Sequence, residues 1–475
     1  MNARAANLSA WGPRVRGLSR TYWALVALVV LCFALGGSAR GDVVQLIALR
    51  PLSMLFLGYG LLTLEWQHVT AHKFLWAMAC AVVALPALQL VPLPPQLWHQ
   101  LPGHDLVVEI DRVAGLGEVW RPLTLTPVET MNALFASLVP FAGFVLGMQL
   151  TQEERFRLLP VVLVLGGLSA FLGLLQIVGD PQGPLYLFPN TNNGSVVGLF
   201  ANRNHQAALL GMMLPMLCVM ADMRGPGIRF ATGLAGFLLL PLILITGSRS
   251  GLILAGLGLL TIPLWLSSPR PVRDSSIVRH LGKWYPSPGI MRLGIAAVGI
   301  ALVALTIWLG RGEAWNRLFI GGTSEEARLQ ILPTLFGMIA RYMPLGSGMG
   351  SFARVYLVHE PDALLDPTYM NNAHDDWLEV LLDGGVVAAA LLFLASAAFI
   401  LQVCRAWKAN SAPRKQLLSA RLGLVLVGLE GVASMSDYPL RTPAHAMLFV
   451  LAVLWAGSSL GEGSRVKTIG QTHDF

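Results

Sequence analysis

GVVAAALLFLASAAFILQVC, residues 385–404, carries no charged side chain over a length sufficient to cross a bilayer core as one helix. Comparable apolar blocks recur near 22–38, 45–64, 73–92, 130–150, 157–178, 204–221, 230–247, 250–267, 291–310, 418–436 and 443–460, which makes about twelve candidate spans. Hydrophobic residues form 55% of the 475-residue chain and charged residues only 12%, against about a quarter charged in a soluble domain. Mean hydropathy is +0.62. The sequence therefore predicts an all-α, polytopic transmembrane bundle and excludes a soluble globular enzyme. The formal charge of +7 is no nucleic-acid signal, because the basic residues fall mostly in short connections between spans, where they set orientation.

The first block follows Arg4, Arg14, Arg16 and Arg20 and imitates a signal peptide. Ser38, Ala39 and Arg40 make a poor cleavage site and more spans follow, so a retained first helix is expected. Cys32, Cys80, Cys218 and Cys404 lie in apolar blocks without metal-ligand spacing and read as small core residues.

An even number of spans places both termini on one side. With a cytoplasmic N-terminus, the inside connections receive Arg155 and Arg157, Arg224 and Arg229, Arg270, Arg273, Arg279 and Lys283, Arg405, Lys408, Arg414 and Lys415, and finally Arg465 and Lys467, as the positive-inside rule requires. The opposite face, the periplasm of a bacterial inner membrane, receives a proline-rich segment near 93–129 and a long segment near 311–384. The chain divides into four N-terminal spans over 1–150, a membrane core over 151–460 that includes the 311–384 loop, and a cytoplasmic tail over 461–475.

Directly ahead of the opening block stands NNAHDDWLEVLLDG, residues 371–384. Asn371 or Asn372 reads as a helix cap, and Asp375 and Asp376 as first-turn charges that complement the helix dipole. Gly384 and Gly385 read as a break before the tenth span. His374 is either an incidental interface residue or a general base that takes a proton from a sugar hydroxyl near neutral pH. Adjacent helical residues diverge and no histidine stands four residues on, so metal ligation is a weak reading and no cofactor is expected.

Four arginines fall on the outer face: Arg203 in FANRNHQA, Arg249 in TGSRSG, Arg328 in TSEEARLQILP and Arg441 in SDYPLRTPA. Each alone reads as an interface arginine snorkelling to headgroups. Four on one face in polar or glycine-rich settings point to an anion site, since the guanidinium fork pairs phosphate oxygens and stays charged. Ser248, Ser250 and Gly251 would let backbone N–H groups approach such an anion where the next helix starts. Thr323 and Glu326 have capping-box spacing, which predicts an outer helix with Leu329, Leu332, Leu335 and Ile339 on its apolar face, bent at Pro333. PLGSGMGSF, which follows, reads as a hinge or a close backbone approach. His205, near Arg203, reads as a second candidate base or a hydrogen-bonded helix-start residue. Glu430, inside the eleventh span, is expected to pair or to be protonated.

TGSRSG at a short outer hairpin, SEEARLQ followed by PLGSGMGSF, and the H-D-D-W-L-E-V-L-x-D-G-G run, in this order, resemble the O-antigen ligase and polymerase family over about residues 150–460. FANRNHQA and SDYPLRTPA look like features of a subgroup. The resemblance implies a membrane glycosyltransferase of the GT-C type that takes a glycan from a polyprenyl-diphosphate carrier and passes it to lipid A core or to another repeat unit. It implies that Arg249 and Arg328 bind the donor diphosphate and that His374 is the catalytic histidine, with Arg341 and Arg354 as alternatives to Arg328. Arg203, His205, Arg441 and Asp375 stand as auxiliaries. The rival reading is a transporter or flippase for a lipid-linked or anionic solute, which Arg50 and Glu430 inside spans keep open.

Overall fold

The computed structural model describes residues 17–188, 192–223, 226–263, 330–365, 370–409 and 412–457, together with 293, 294 and 297. Among them, six helices are long and apolar enough to cross a membrane and five more are shorter and apolar. The protein is a multi-pass membrane protein. The apolar helices are α1 (Arg20–Leu35), α2 (Leu46–Leu62), α3 (Lys73–Gln89), then α5 (Pro127–Met148), α6 (Leu159–Val178), α7 (Arg203–Met223), α8 (Pro226–Ile245) and α9 (Arg249–Thr261). They continue with α12 (Asp376–Lys408), α13 (Arg414–Ala433) and α14 (Pro443–Ala456). Among the described residues, the two long connections hold α4 (Asp105–Ala114), α10 (Leu332–Tyr342) and α11 (Phe352–His359), besides the single turns Pro95–Trp98 and Asp362–Leu364. The expected block at 291–310 lies almost wholly outside the described residues, as do the 264–290 connection, the helix start at 323–329 and the tail.

Between membrane helices there is little water to expel, so close packing must hold the bundle. Small residues permit it. A Cβ on Gly251 would lie 2.3 Å from Ala207 Cβ, and one on Gly258 would lie 3.1 Å from Gly211 O, which seats α9 along α7. Gly423 lets α13 meet the Ala456 backbone of α14. The first apolar run belongs to this bundle: Leu25, Leu28, Val29, Cys32 and Phe33 of α1 are in its core. Of the cysteines only Cys32 is buried, while Cys80 and Cys404 are exposed. The core reading of those two is corrected, since they stand on outward faces of their helices.

The segments assigned to one face do meet at one end of the bundle. Gly36, just past α1, accepts a bond from Ala444 N at 3.1 Å, and Gly37 accepts one from Ala201 N at 3.0 Å. At the other end, Ser19 N donates to Glu154 at 2.9 Å, Arg414 pairs with Asp222, and the Trp455 indole donates to Arg155 O at 2.8 Å.

The two long connections are built into each other. Gln89, at the end of α3, donates to Asp383 O at 2.9 Å and accepts from Met349 N at 2.8 Å. Arg341 pairs with Asp105 at 3.1 Å and Arg354 with Glu129 at 2.9 Å, so both arginines tie the loops together. Leu335, Met338 and Tyr342 turn the buried face of α10 into a small core with Phe352 and Tyr356. Pro333 stands in the first turn of α10, where a missing N–H costs nothing; the stretch ahead of it, expected to bend there, lies outside the described residues up to 329.

The expected break occurs in α12. Gly385 has φ 57° and ψ −143°, a conformation only glycine adopts readily. A Cβ there would lie 2.2 Å from Pro344 O. The PLGSGMGSF turn therefore works by close backbone approach: Val386 N donates to Pro344 O at 2.7 Å and Gly348 N to Asp383 O at 2.9 Å.

Candidate active site

At the end where α7, α12 and α14 begin and α13 finishes, the residues between α13 and α14 form a buried polar centre. Asp437 is 2% exposed. Its Oδ2 accepts from the Asn202 amide at 3.2 Å and the Asn204 amide at 2.6 Å. Its Oδ1 accepts from Tyr438 N at 3.0 Å and faces His374 Nδ1 at 3.3 Å. Several donors converge on one carboxylate, the setting in which a buried charge is tolerated. An ionised Asp437 requires a proton on His374 Nδ1, which leaves the Nε2 lone pair as the basic position.

His374 keeps 15% of its side chain exposed and lies against the Tyr438 ring, with centroids 4.9 Å apart. Its φ is +54°, a backbone state uncommon outside glycine that costs about 1–3 kcal/mol and persists only where the surroundings impose it. Those surroundings are on either side. Ala373 N donates to Glu379 Oε2 at 2.7 Å, and Asp375 caps α12 by accepting from Trp377 N at 3.0 Å and Leu378 N at 3.1 Å. The cap is thus Asp375, correcting the asparagine expectation. A carboxylate one residue before the helix reaches its free N–H groups better than a side chain four residues away. Burial raises the Asp375 carboxyl above its ordinary value, against the two N–H groups that lower it.

Asp376 is more than a helix-start charge. Its Oδ1 pairs with Arg441 Nε at 2.8 Å, and Arg441 Nη1 reaches Glu379 at 3.0 Å. Burial opposes the charge on Arg441, but Glu379, Asp376 and Asp383 outweigh it and raise the guanidinium above its ordinary value. Arg441 is therefore committed to carboxylates rather than presented as an anion clamp. Asp383, in turn, accepts from Gly350 N at 2.8 Å and Ser351 Oγ at 3.1 Å.

Arg203 and Arg249 each open a helix, as expected. The N–H of Gly251 is already taken by Ser248 Oγ at 3.0 Å, and the bare Gly251 serves the packing on Ala207, which corrects the idea that it approaches an anion. That contact also sets the start of α9 beside the start of α7. Arg328 lies outside the described residues. His205 is buried, and neither ring nitrogen makes a hydrogen bond. Nε2 stands 3.9 Å from Asp437 and the ring packs on Tyr438 and His445, so the hydrogen-bonded reading is corrected. Glu430 does pair, with His445 Nδ1 at 2.8 Å. Among the described residues no group of three or more His, Cys, Asp or Glu is placed to hold a metal ion.

A cavity of about 1640 Å³ opens beside this centre. Asn371, Asn372, Asp376, Trp377, Ser434 and Arg441 line it near the site, and Leu392, Phe399, Ile400 and Val427 line it along the helices.

Residues 234–393 match the family model of the O-antigen ligase. This segment is similar to the O-antigen ligase family. The matched segment holds Arg249, Arg328 and His374, whereas Asp437, Asn202, Arg203 and Arg441 fall outside it. The family implies glycan transfer of the O-antigen ligase or polymerase type at a membrane, acting on a lipid-linked glycan donor and an acceptor. No curated protein matches the chain. Sequence reasoning missed Asp437, Asn202, Asn204 and His445. The asparagines flank the noted Arg203, and Asp437 stands four residues before Arg441, so the residue types were visible but not their convergence.

Proposed function

We propose that this protein catalyses transfer of a glycan from a polyprenyl-diphosphate carrier to a sugar hydroxyl, at the periplasmic face of a bacterial inner membrane. Nε2 of His374 takes the hydroxyl proton while that oxygen bonds to the anomeric carbon. The bond from that carbon to the diphosphate breaks, and the diphosphate leaves with its electron pair. Asp437 holds the imidazole in the required tautomer and balances the imidazolium that forms. Arg249 and Arg328 bind the departing diphosphate, with Arg203 as an auxiliary. The starts of α7 and α9 add the positive ends of two helix dipoles. A diphosphate already tolerates negative charge, so preorganised cations can carry much of the barrier lowering.

The observation that supports this reading most is the 3.3 Å approach of His374 Nδ1 to Asp437 Oδ1, with the histidine left partly open. The test is transfer by purified protein in detergent, where a transporter has no second compartment to serve. Wild type should transfer carrier-linked glycan, and His374→Ala should lose about 10²–10⁴-fold, the share of a positioned general base. Transfer by His374→Ala at the wild-type rate would remove the base assignment.

A further inference from the structure

Two buried polar atoms beside the site have no hydrogen-bond partner: Asp376 Oδ2 and Ser434 Oγ. Asp376 is 8% exposed and Ser434 3%, and both line the cavity. They belong to one place, because Asp376 N donates to Ser434 O at 2.8 Å. The carboxylate is held from its other oxygen by Arg441 Nε at 2.8 Å, which fixes the plane in which Oδ2 lies. Buried polar atoms in native proteins are nearly always paired, so one acceptor and one hydroxyl left over together mark a site for a ligand bearing hydroxyl groups. The neighbouring Trp377 also lines the cavity. Its indole N–H is spent on Gly431 O at 3.0 Å, so what it offers a ligand is apolar ring surface. A carboxylate, a hydroxyl and an indole surface together suit a pyranose, which has hydroxyl edges and C–H faces.

The location matters as much as the chemistry. His374 precedes Asp376 by two residues and Asp437 follows Ser434 by three. The histidine pair and the unpartnered pair are therefore opposite ends of the same two backbone segments, within about 7–10 Å of chain reach. That is the span of one sugar ring with its substituents.

We propose that Asp376, Ser434 and Trp377 form a pyranose subsite that holds the acceptor sugar with one of its hydroxyls at His374. The assignment to the acceptor rests on His374 being the base. The subsite itself does not, since sugar binding there needs no transfer. Arg249 and the start of α9 do not line this cavity, and His374 stands between the lining residues Asn372 and Asp376 without lining it itself. In this proposal the diphosphate comes from α7 and α9, and the sugar hydroxyl reaches the histidine from the cavity's edge.

The test is saturation-transfer NMR on the full-length protein in lipid nanodiscs, with methyl glycosides of glucose, galactose, mannose, rhamnose and N-acetylglucosamine as probes. Wild type and His374→Ala should both saturate ring protons of at least one probe. Ser434→Ala, which keeps the backbone carbonyl that binds Asp376 N, and Trp377→Phe should each weaken that signal about tenfold or more. Asp376→Asn, able to keep its bond to Arg441, should raise the acceptor KM about tenfold with a smaller change in kcat, the equivalent of one charged hydrogen bond. No saturation of any probe by wild type would mean that the two atoms are merely hydrated and would overturn the subsite. So would unchanged signals in both Ser434→Ala and Trp377→Phe. If the probes bind as expected while His374→Ala still transfers, the subsite stands and the base assignment fails.

Discussion

Two histidine–carboxylate pairs lie within one small region, and they differ in what is left unspent. His445 and Glu430 are fully buried at 2.8 Å, and the second nitrogen of His445 contacts His205 O at 2.9 Å. Both ring nitrogens are used, and no face is open. His374 and Asp437 stand at 3.3 Å, with the imidazole partly exposed and its backbone at φ +54°. The carboxylate is saturated by amides, while the histidine keeps a nitrogen for chemistry. The same pair of residue types is a rivet between α7, α13 and α14 in one place and an oriented base in the other. Burial and residual valence, rather than residue identity, make the distinction.

The largest expected effect falls on the rivet. His445→Ala leaves Glu430 buried without its partner and should cost about 3–5 kcal/mol, as broken buried pairs do. Thermal unfolding in detergent reads this, and the double variant His445→Leu with Glu430→Leu should recover much of the loss. If the single variant unfolds like wild type, the pair is not structural.

Asp437→Asn sharpens the other half of the comparison. An amide can present N–H to His374 Nδ1 and favour the wrong tautomer. Transfer should fall about tenfold to a hundredfold, the rate equivalent of about 1.5–3 kcal/mol for a hydrogen bond to a charged group, with little change in unfolding temperature. A large stability loss at an unchanged rate per folded molecule would make Asp437 another rivet.

Gly385→Ala forces a side chain into positive φ and against Pro344 O. It should cost about 1–3 kcal/mol, with proteolysis of the 343–352 turn as the readout. Protection equal to wild type would mean that this backbone contact does not hold the turn.

The smallest expected effect is a pH dependence in the connection between α3 and α5. Burial holds the His104 imidazolium below its ordinary value, against carbonyl bonds to Pro102 and Leu123 that raise it. The folded loop therefore binds fewer protons than the unfolded chain. The stabilisation is complete above about pH 6.5, the unfolded value, and is lost as pH falls through the folded one. Protease resistance of residues 91–126 should decline on acidification in wild type and much less in His104→Gln; equal declines would place the sensitivity elsewhere.

The spans were readable because the length of a bilayer core is written directly into apolar run lengths, as at 385–404. The kink at Gly385 was readable because two adjacent glycines at the edge of an apolar block have few other uses. His374 was readable as a polar residue at a helix mouth. Asp437 was not, because an acidic residue after a span looks like any solvated end until Asn202 and Asn204 are folded onto it. The ion pairs of Arg441 were hidden for the same reason: its partners Asp376 and Glu379 lie over sixty residues away in sequence, and a guanidinium facing carboxylates looks locally like one facing phosphate.

The most direct measurement is glycan transfer per folded molecule by His374→Gln and His445→Gln, side by side in nanodiscs of the same lipid. The account predicts that His374→Gln loses about 10²–10⁴-fold with its unfolding temperature retained, and that His445→Gln loses stability while its folded fraction transfers like wild type. Full transfer by His374→Gln, or equal losses of rate in the two variants, would contradict it.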